Sequence, residues 1–456
     1  MRNSLYENLY RKIALDIRTG KLAADSKLPS IRGYADENGI SRNTVLNAYN
    51  LLLLEGYIYS KEKSGFYVSH MEANPHEKKS PVREESVERD EEESLLDLSA
   101  NLVDSSLFPY STLRQLYREA LSGSNISLLE MAGSFKGDEE LRSSIAEFVY
   151  SHRGITCTPE QVVIGNGTSY HLQQIARLFE DRPVYIMERP GFQSTLEIVK
   201  DTGCQIIQIE LDEAGLRADL LKRRTKKIQS TQLLHISPSH QFPMGTTMSA
   251  PRRSSILSWA YSKERRYVIE DDYDSDFRYI GHPIPSLESM DTRERVIYLG
   301  TFSRTLTPSM RISYMILPKP LARLYDERFR YYQCPVSRID QKALSLFMDQ
   351  GYFVRHINRM KRIYRTKRDE MIALLESRLP SIEIRGEEAG LHFIIHTPIP
   401  ERTLVSQAKK LGLFLKGTGN GWIIIGYAHL DGSEMEKAVS ILEQIISTRK
   451  SAKNIE

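Results

Sequence analysis

The residues best placed to do chemistry sit in a handful of short loops. Gly165-Asn166-Gly167-Thr168-Ser169 follows an apolar, β-rich run at 161–164 and opens a helix that continues through Phe179. A strand, a glycine turn and a helix N-terminus make an anion site, because free backbone N–H groups point at the ligand. Such turns are common in α/β proteins, so alone this one says little about which anion. Four later loops carry more pointed side chains. Glu188-Arg189-Pro190-Gly191-Phe192 delivers an aromatic after a tight turn. Residues 237–245 read SPSHQFPMG, 270–277 read EDDYDSDF, and 300–311 read GTFSRTLTPSMR. The last holds hydroxyls and two arginines, Arg304 and Arg311, in one stretch.

Each of these loops follows a strand candidate. The candidates lie at 161–164, 184–188, 205–210, 232–237, 267–271 and 296–299, and helical stretches separate several of them. That alternation predicts an α/β fold, with a large, mostly parallel sheet covered by helices. No internal repeat is visible.

The first 70 residues read differently. Leu5, Leu9, Ile13 and Ile17 recur at spacings of four, an amphipathic helix. Ser30 is placed to cap a short helix over 31–37, which Asn38-Gly39 ends. Ser41 would cap a second helix over 42–55, with Val45, Leu46, Tyr49, Leu52 and Leu53 as its buried stripe. Two short helices joined by a glycine-containing turn are the signature of a helix-turn-helix. Residues 56–60 and 65–68 alternate like strands around the turn 61–64, which makes a two-stranded wing. Arg32, Ser41, Arg42, Asn43, Thr44, Asn47, Lys61 and Lys63 are then the groups that would contact phosphates and base edges. Taken singly, each is an ordinary solvated residue of a small helical domain.

Composition agrees with a soluble chain of several domains. The 456 residues are 40% hydrophobic and 27% charged, and no apolar run reaches the ~20 residues of a membrane helix. The N-terminus lacks a signal-peptide core. Cys157, Cys204 and Cys334 lie far apart without metal-ligand spacing, so no metal site and a reduced, cytoplasmic setting are expected. The net charge of +3 hides a contrast. Residues 1–70 hold ten basic and seven acidic residues, whereas 71–97 hold four and ten. The second stretch is too polar and charged to order itself. It reads as a linker, with a solvated helix around 82–93 as the alternative.

The run KLPSIRGYADENGISRNTVLNAYNLLLLEGYIYSKEKSGFYV strongly resembles the winged helix-turn-helix of the GntR family of bacterial transcription regulators. The later loops resemble fold-type I enzymes dependent on pyridoxal phosphate, the aspartate aminotransferase superfamily. Joined, and with PSHQFPMG, EDDYDSDFRY, GTFSRTLTPSMRISY and GLHF in order, they resemble the MocR/GabR group of regulators over the whole chain. The resemblance implies four segments: a DNA-binding winged helix at 1–70, the acidic linker at 71–97, a large cofactor-binding domain at 98–330, and a small C-terminal α+β domain at 331–456. The large domain would carry helices on both faces of its sheet. The resemblance also implies cofactor roles. Asn166, Gly167 and Thr168, with Thr301, Ser303 and Arg311, would surround the phosphate. Asp271 would pair with the pyridine nitrogen, Tyr273 would donate to the phenolic oxygen, and Phe192 would stack on the ring.

One departure matters most. The family places its Schiff-base lysine seven residues before the phosphate-binding arginine, and here that position is Arg304. A guanidinium is always protonated and cannot take the lysine's place. Covalent attachment is therefore in doubt, and no transaminase turnover is expected. A further departure concerns the substrate carboxylate. The late strand Trp422-Ile423-Ile424-Ile425-Gly426-Tyr427 contains no arginine. Leu129-Glu130-Met131-Ala132-Gly133 also lacks the tyrosine that crosses between subunits in the family. The implied function is a homodimeric transcriptional regulator that binds double-stranded operator DNA. It would sense pyridoxal phosphate or an amino-acid adduct of it, with no membrane partner. The alternatives are an active aminotransferase with an accessory DNA-binding domain and a cofactor carrier without DNA function. Effector, operator, and activation or repression are not written in the sequence.

Overall fold

The computed structural model describes residues 5–62, 64–70, 95–100, 102–125, 130–280 and 285–453. The chain divides into two compact units, 1–90 and 91–456. The linker drawn at 71–97, with its alternative helix, falls outside the described residues as far as residue 94. No described helix is long and apolar enough to cross a membrane.

The first unit packs three helices, α1 (Leu5–Arg18), α2 (Ile31–Asn38) and α3 (Arg42–Leu54), with a hairpin of β1 (Ile58–Lys61) and β2 (Gly65–Val68). The caps fall where the sequence puts them. Ser30 Oγ accepts from Gly33 N and Ser41 Oγ accepts from Thr44 N, each filling one orphan donor of a helix start. Gly39 ends α2 at φ +63, a left-handed turn that a glycine enters without strain. Val45, Ala48, Tyr49 and Leu52 of α3 meet Leu9, Ile13 and Ile17 of α1 in one core. Two expected core residues are outside it. Leu5 is 71% exposed in the first turn of α1, and Leu46 is 40% exposed on the outer side of α3, where Ala48 is buried instead.

The second unit is built on an eight-stranded sheet. Its strands are β4 (Val162–Gly165), β5 (Val184–Arg189), β6 (Gln205–Asp212), β7 (Gly215–Leu216), β8 (Gln232–Ile236), β9 (Arg266–Asp272), β10 (Val296–Thr301) and β11 (Ser313–Ile316), with β3 (Leu96–Asp97) lying apart from them. The order is β4-β11-β10-β9-β8-β5-β6-β7. Strands β10, β9, β8, β5 and β6 run parallel, and β11 runs antiparallel to both its neighbours. Apolar residues face both ways, as a sheet covered on two sides requires. Val162, Ile164 and Tyr298 pack under helices Tyr110–Ala120, Glu139–Arg153 and Arg338–Asp349, while Val163, Ile297 and Leu299 pack under Thr168–Leu178 and Lys319–Phe329.

A smaller sheet follows, formed by β12 (Glu383–Arg385), β13 (His392–His396), β15 (Lys416–Gly417) and β16 (Trp422–Gly426), in the order β12-β13-β16-β15. The short strand β14 (Leu413–Phe414) pairs with β3 in parallel. Packing crosses the expected boundary at 330. Leu344, Phe347 and Phe353 belong to the core of the large sheet, whereas Leu98 belongs to the core around β13 and β16. The helix Arg338–Asp349 and the first turns of Tyr352–Arg378 carry apolar residues that bury against the large sheet before the chain reaches the smaller one.

Candidate functional site

The loops at the ends of β4, β5, β9, β10 and the turn before β11 enclose a cleft of about 410 Å³. Gly167, Thr168, Phe192, Asp271, Tyr273, Thr301, Ser303, Arg304 and Arg311 all line it. Asn166 is exposed and is not in the lining. Nine residues scattered over 145 positions of sequence thus share one cavity.

The anion end is built by Gly167 and Arg311. Gly167 has φ +118 and precedes the first turn of Thr168–Leu178. A Cβ at 167 would lie 2.7 Å from Arg311 Nη2, so only glycine lets the guanidinium reach the helix start. Arg311 itself sits at φ +52, a left-handed conformation uncommon for arginine, between the 3₁₀ turn Pro308–Met310 and β11. One expected role changes. Gly167 N–H donates to Ser313 Oγ at 2.8 Å, so the glycine supplies room and not a free donor. Thr301 Oγ1 accepts from Ser303 N at 3.1 Å, which fixes both hydroxyl residues at the end of β10. A helix N-terminus and a guanidinium on one side of a cleft suit a phosphate dianion.

The other end is acidic and aromatic. Strand alternation sorts the carboxylates of EDDYD. Asp271 faces the cleft and accepts from His235 Nε2 at 3.2 Å. Its two neighbours point to the opposite face. Glu270 takes the backbone N–H groups of Leu287 and Glu288, and Asp272 takes Arg153 at 2.7 Å and Tyr298 at 2.6 Å. Asp271 is therefore a buried carboxylate with its remaining capacity directed at the cleft, a fit for a protonated ring nitrogen. Behind it, Glu188 accepts from Ser237 N, and burial raises its carboxyl to about 7 against the pull of that bond.

Tyr273 is 9% exposed, and burial holds its phenol well above the ordinary value. Its oxygen lies 3.1 Å from His240 Nδ1, which also lies 2.8 Å from Asp274 Oδ2. An ionised carboxylate only accepts, so Nδ1 carries the hydrogen and gives it to Asp274. The Tyr273 proton is left for a partner in the cleft. His392 joins this group, with ring centres 5.0 Å from His240. The three offer metal-ligand atoms within 4.8 Å of one another. His240 Nδ1 is engaged with Asp274, and His392 Nε2 lies 3.2 Å from the Pro243 carbonyl, while His240 Nε2 is buried without a hydrogen-bond partner among the described residues. Phe192 lies flat on Phe242 at 4.0 Å and edge-on to Tyr273 at 5.1 Å. Phe242, Met244 and Trp422 extend this wall. His235, Ser313, His240 and Phe242 were not foreseen as parts of the site, although HQF sits in a quoted motif.

Arg304 enters the same cleft. Its Nη1 donates to the Ala100 carbonyl at 2.6 Å, and its guanidinium carbon is 5.9 Å from the Tyr273 ring centre. Burial lowers its pKa, and Asp274, Tyr273 and Asp271 counter that by favouring the charge. A cation that is wide, flat and already hydrogen-bonded occupies this wall.

In the first unit, Arg42, Asn43 and Asn47 are exposed on α3, two of them in its first turn. Ser41 and Thr44 bond each other, Oγ to Oγ1 at 2.8 Å, so they shape the helix start. Arg32 is exposed on α2, 3.8 Å from Asp36. Lys61 is exposed on the wing, 4.6 Å from the Tyr67 ring centre. Lys63 lies outside the described residues.

The comparisons with known proteins divide at the same place. A family model for aminotransferase class I and II matches residues 95–442, and one for bacterial regulatory proteins of the gntR family matches residues 5–68. The chain is 35% identical to YdeL of Bacillus subtilis (strain 168), described as an uncharacterized HTH-type transcriptional regulator, over 96% of each chain. It is 29% identical to the probable rhizopine catabolism regulatory protein MocR of Rhizobium meliloti, over 96% of this chain and 93% of that one. Among solved structures, an archaeal alanine:glyoxylate aminotransferase superposes with a TM-score of 0.70 at 26% identity, over 78% of this chain and 91% of the other.

Proposed function

Because the chain belongs to the aminotransferase class I and II family and, with its gntR-family head, to the MocR-type HTH regulators, we propose that it is a DNA-binding transcriptional regulator. Its second unit would sense pyridoxal phosphate, or an amino-acid adduct of it, without turning over substrate. The observation that carries the reading is Arg304 in the wall of an otherwise suitable cleft. Thr168, Thr301, Ser303 and Arg311 would hold the phosphate in the room that Gly167 leaves, Asp271 the ring nitrogen, Tyr273 the phenolic oxygen, and Phe192 a ring face. When bound, pyridoxal phosphate supplies an electron sink for amine chemistry. Here the residues only bind and orient it, because no lysine amine stands at 304 to hold it covalently.

We keep the four segments drawn from the sequence as a division along the chain, with core packing shared across 330, and with the reader at 1–70 facing DNA through Arg32, Ser41, Arg42, Asn43, Thr44, Asn47, Lys61 and Lys63. A homodimer in the cytoplasm would present two winged helices to two half-sites. A ligand would act by its different affinity for two arrangements of that dimer.

The competing reading, an active aminotransferase, draws support from the retained Asp271, Tyr273 and Arg311. Incubation with pyridoxal phosphate and a panel of amino and keto acids separates the two. We expect no sustained turnover, and a cofactor absorbance that dialysis removes. We expect Arg304→Lys to retain the cofactor through dialysis. Turnover by the natural chain, or cofactor that survives dialysis with Arg304 in place, would overturn the proposal.

A further inference from the structure

We propose that one face of the helix Tyr352–Arg378 is a second contact for DNA, gripping phosphates and reading no bases. This rests on the reading above that the chain binds DNA. Arg355, Arg359, Arg362 and Arg365 are exposed and Lys361 is half-buried. Together with Tyr279 they line a cleft of about 480 Å³, separate from the one beside Asp271. At 3.6 residues per turn the five cations fall on one side of the helix, along about 15 Å of its length.

Such a row is unfavourable by itself. Arg355 and Arg359, and likewise Lys361 and Arg365, are four apart, where like charges oppose helix formation. Little on the protein compensates them. Asp369 lies 4.0 Å from Arg365 at the far end of the row. The half-buried Asp276 feels the charge of Lys361. Arg355 donates to the Gln350 carbonyl and lies over the Tyr352 ring. Among the described residues, no carboxylate pairs with Arg355, Arg359 or Arg362. A linear polyanion supplies the missing charge. DNA carries one phosphate per strand for each 3.4 Å of axis, so 15 Å of helix spans about four. A small anion would neutralise only one end of the row.

The test uses the full chain, its own upstream DNA and an unrelated duplex of equal length, at several salt concentrations. Phosphate contacts strengthen binding uniformly across sequences and steepen its salt dependence, whereas base contacts carry preference. The variant Arg355→Gln/Arg359→Gln/Arg362→Gln should lose affinity for both duplexes by the same factor. Its plot of log affinity against log salt should be shallower by up to about 2.7, at roughly 0.9 per contact. Cofactor absorbance and molar mass should match the natural chain. Arg42→Ala should instead lose preference for upstream DNA. If the natural chain shows no such preference, the DNA-reading function itself fails. If it does, and the triple variant keeps natural affinity and slope on both duplexes, only the helix-face proposal is overturned. The single variants, each expected to flatten the slope by about 0.9, decide the matter should the triple variant misfold.

Discussion

Single residues in this molecule are assigned their tasks by direction as much as by type. Glu270, Asp271 and Asp272 are chemically near-identical and consecutive, yet only Asp271 lines the cleft, while the other two hold a loop and a buried arginine. Glu188, one layer behind, has a measurable signature. Its carboxyl is raised to about 7 from an ordinary value of 4.5 by burial. Between those values the folded chain keeps a proton that the unfolded chain has released. Folding stability contributed by this group therefore falls as pH rises through that window and is greatest below it. Glu188→Gln removes the titration while leaving an acceptor for Ser237 N. Denaturation midpoints should show the variant gaining on the natural chain from pH 5 to pH 8. Parallel curves for the two would contradict the assignment.

At the scale of elements, the winged helix stands or falls on α3. Tyr49 is fully buried, donates to the Pro29 carbonyl at 3.0 Å, and meets the rings of Phe66 and Tyr34 edge-on. Removing it leaves a cavity and an unpaired carbonyl together, a loss of roughly 3–5 kcal/mol for a large aromatic. Tyr49→Ala should therefore unfold the first unit alone, losing upstream-DNA binding while the cofactor absorbance of the second unit persists. A variant that binds DNA normally would refute this. These elements were largely legible in the sequence. Ser30, Gly39 and Ser41 mark helix ends by local chemistry, and alternation marks the strands of the large sheet. Leu5 and Leu46 misled because a leucine at helical spacing satisfies the pattern even on the outer face. The site was half legible for a different reason. Motif residues such as Asp271 and Arg311 announce themselves, but His235 and Ser313 gain meaning only from partners 36 and 146 positions away. No local pattern records a pairing across strands.

For the whole molecule, the near-neutral total charge of +3 conceals an arrangement by segment: a basic head, an acidic stretch after it, and a cationic row on one helix of the second unit. The family supplies a DNA-binding head and a cofactor fold. Arg304, fixed to the Ala100 carbonyl in the cleft, is the feature that favours sensing over turnover. Sensing requires the two sites to be linked, since a ligand shifts an equilibrium only by its differential affinity for two states. The most direct measurement is the affinity of the full chain for its own upstream DNA, at fixed salt, as pyridoxal phosphate is titrated. The account predicts specific binding whose affinity changes as the cofactor saturates, and a change abolished by Asp271→Ala. Binding that ignores the cofactor at every concentration, or no preference for the upstream DNA at all, would contradict it.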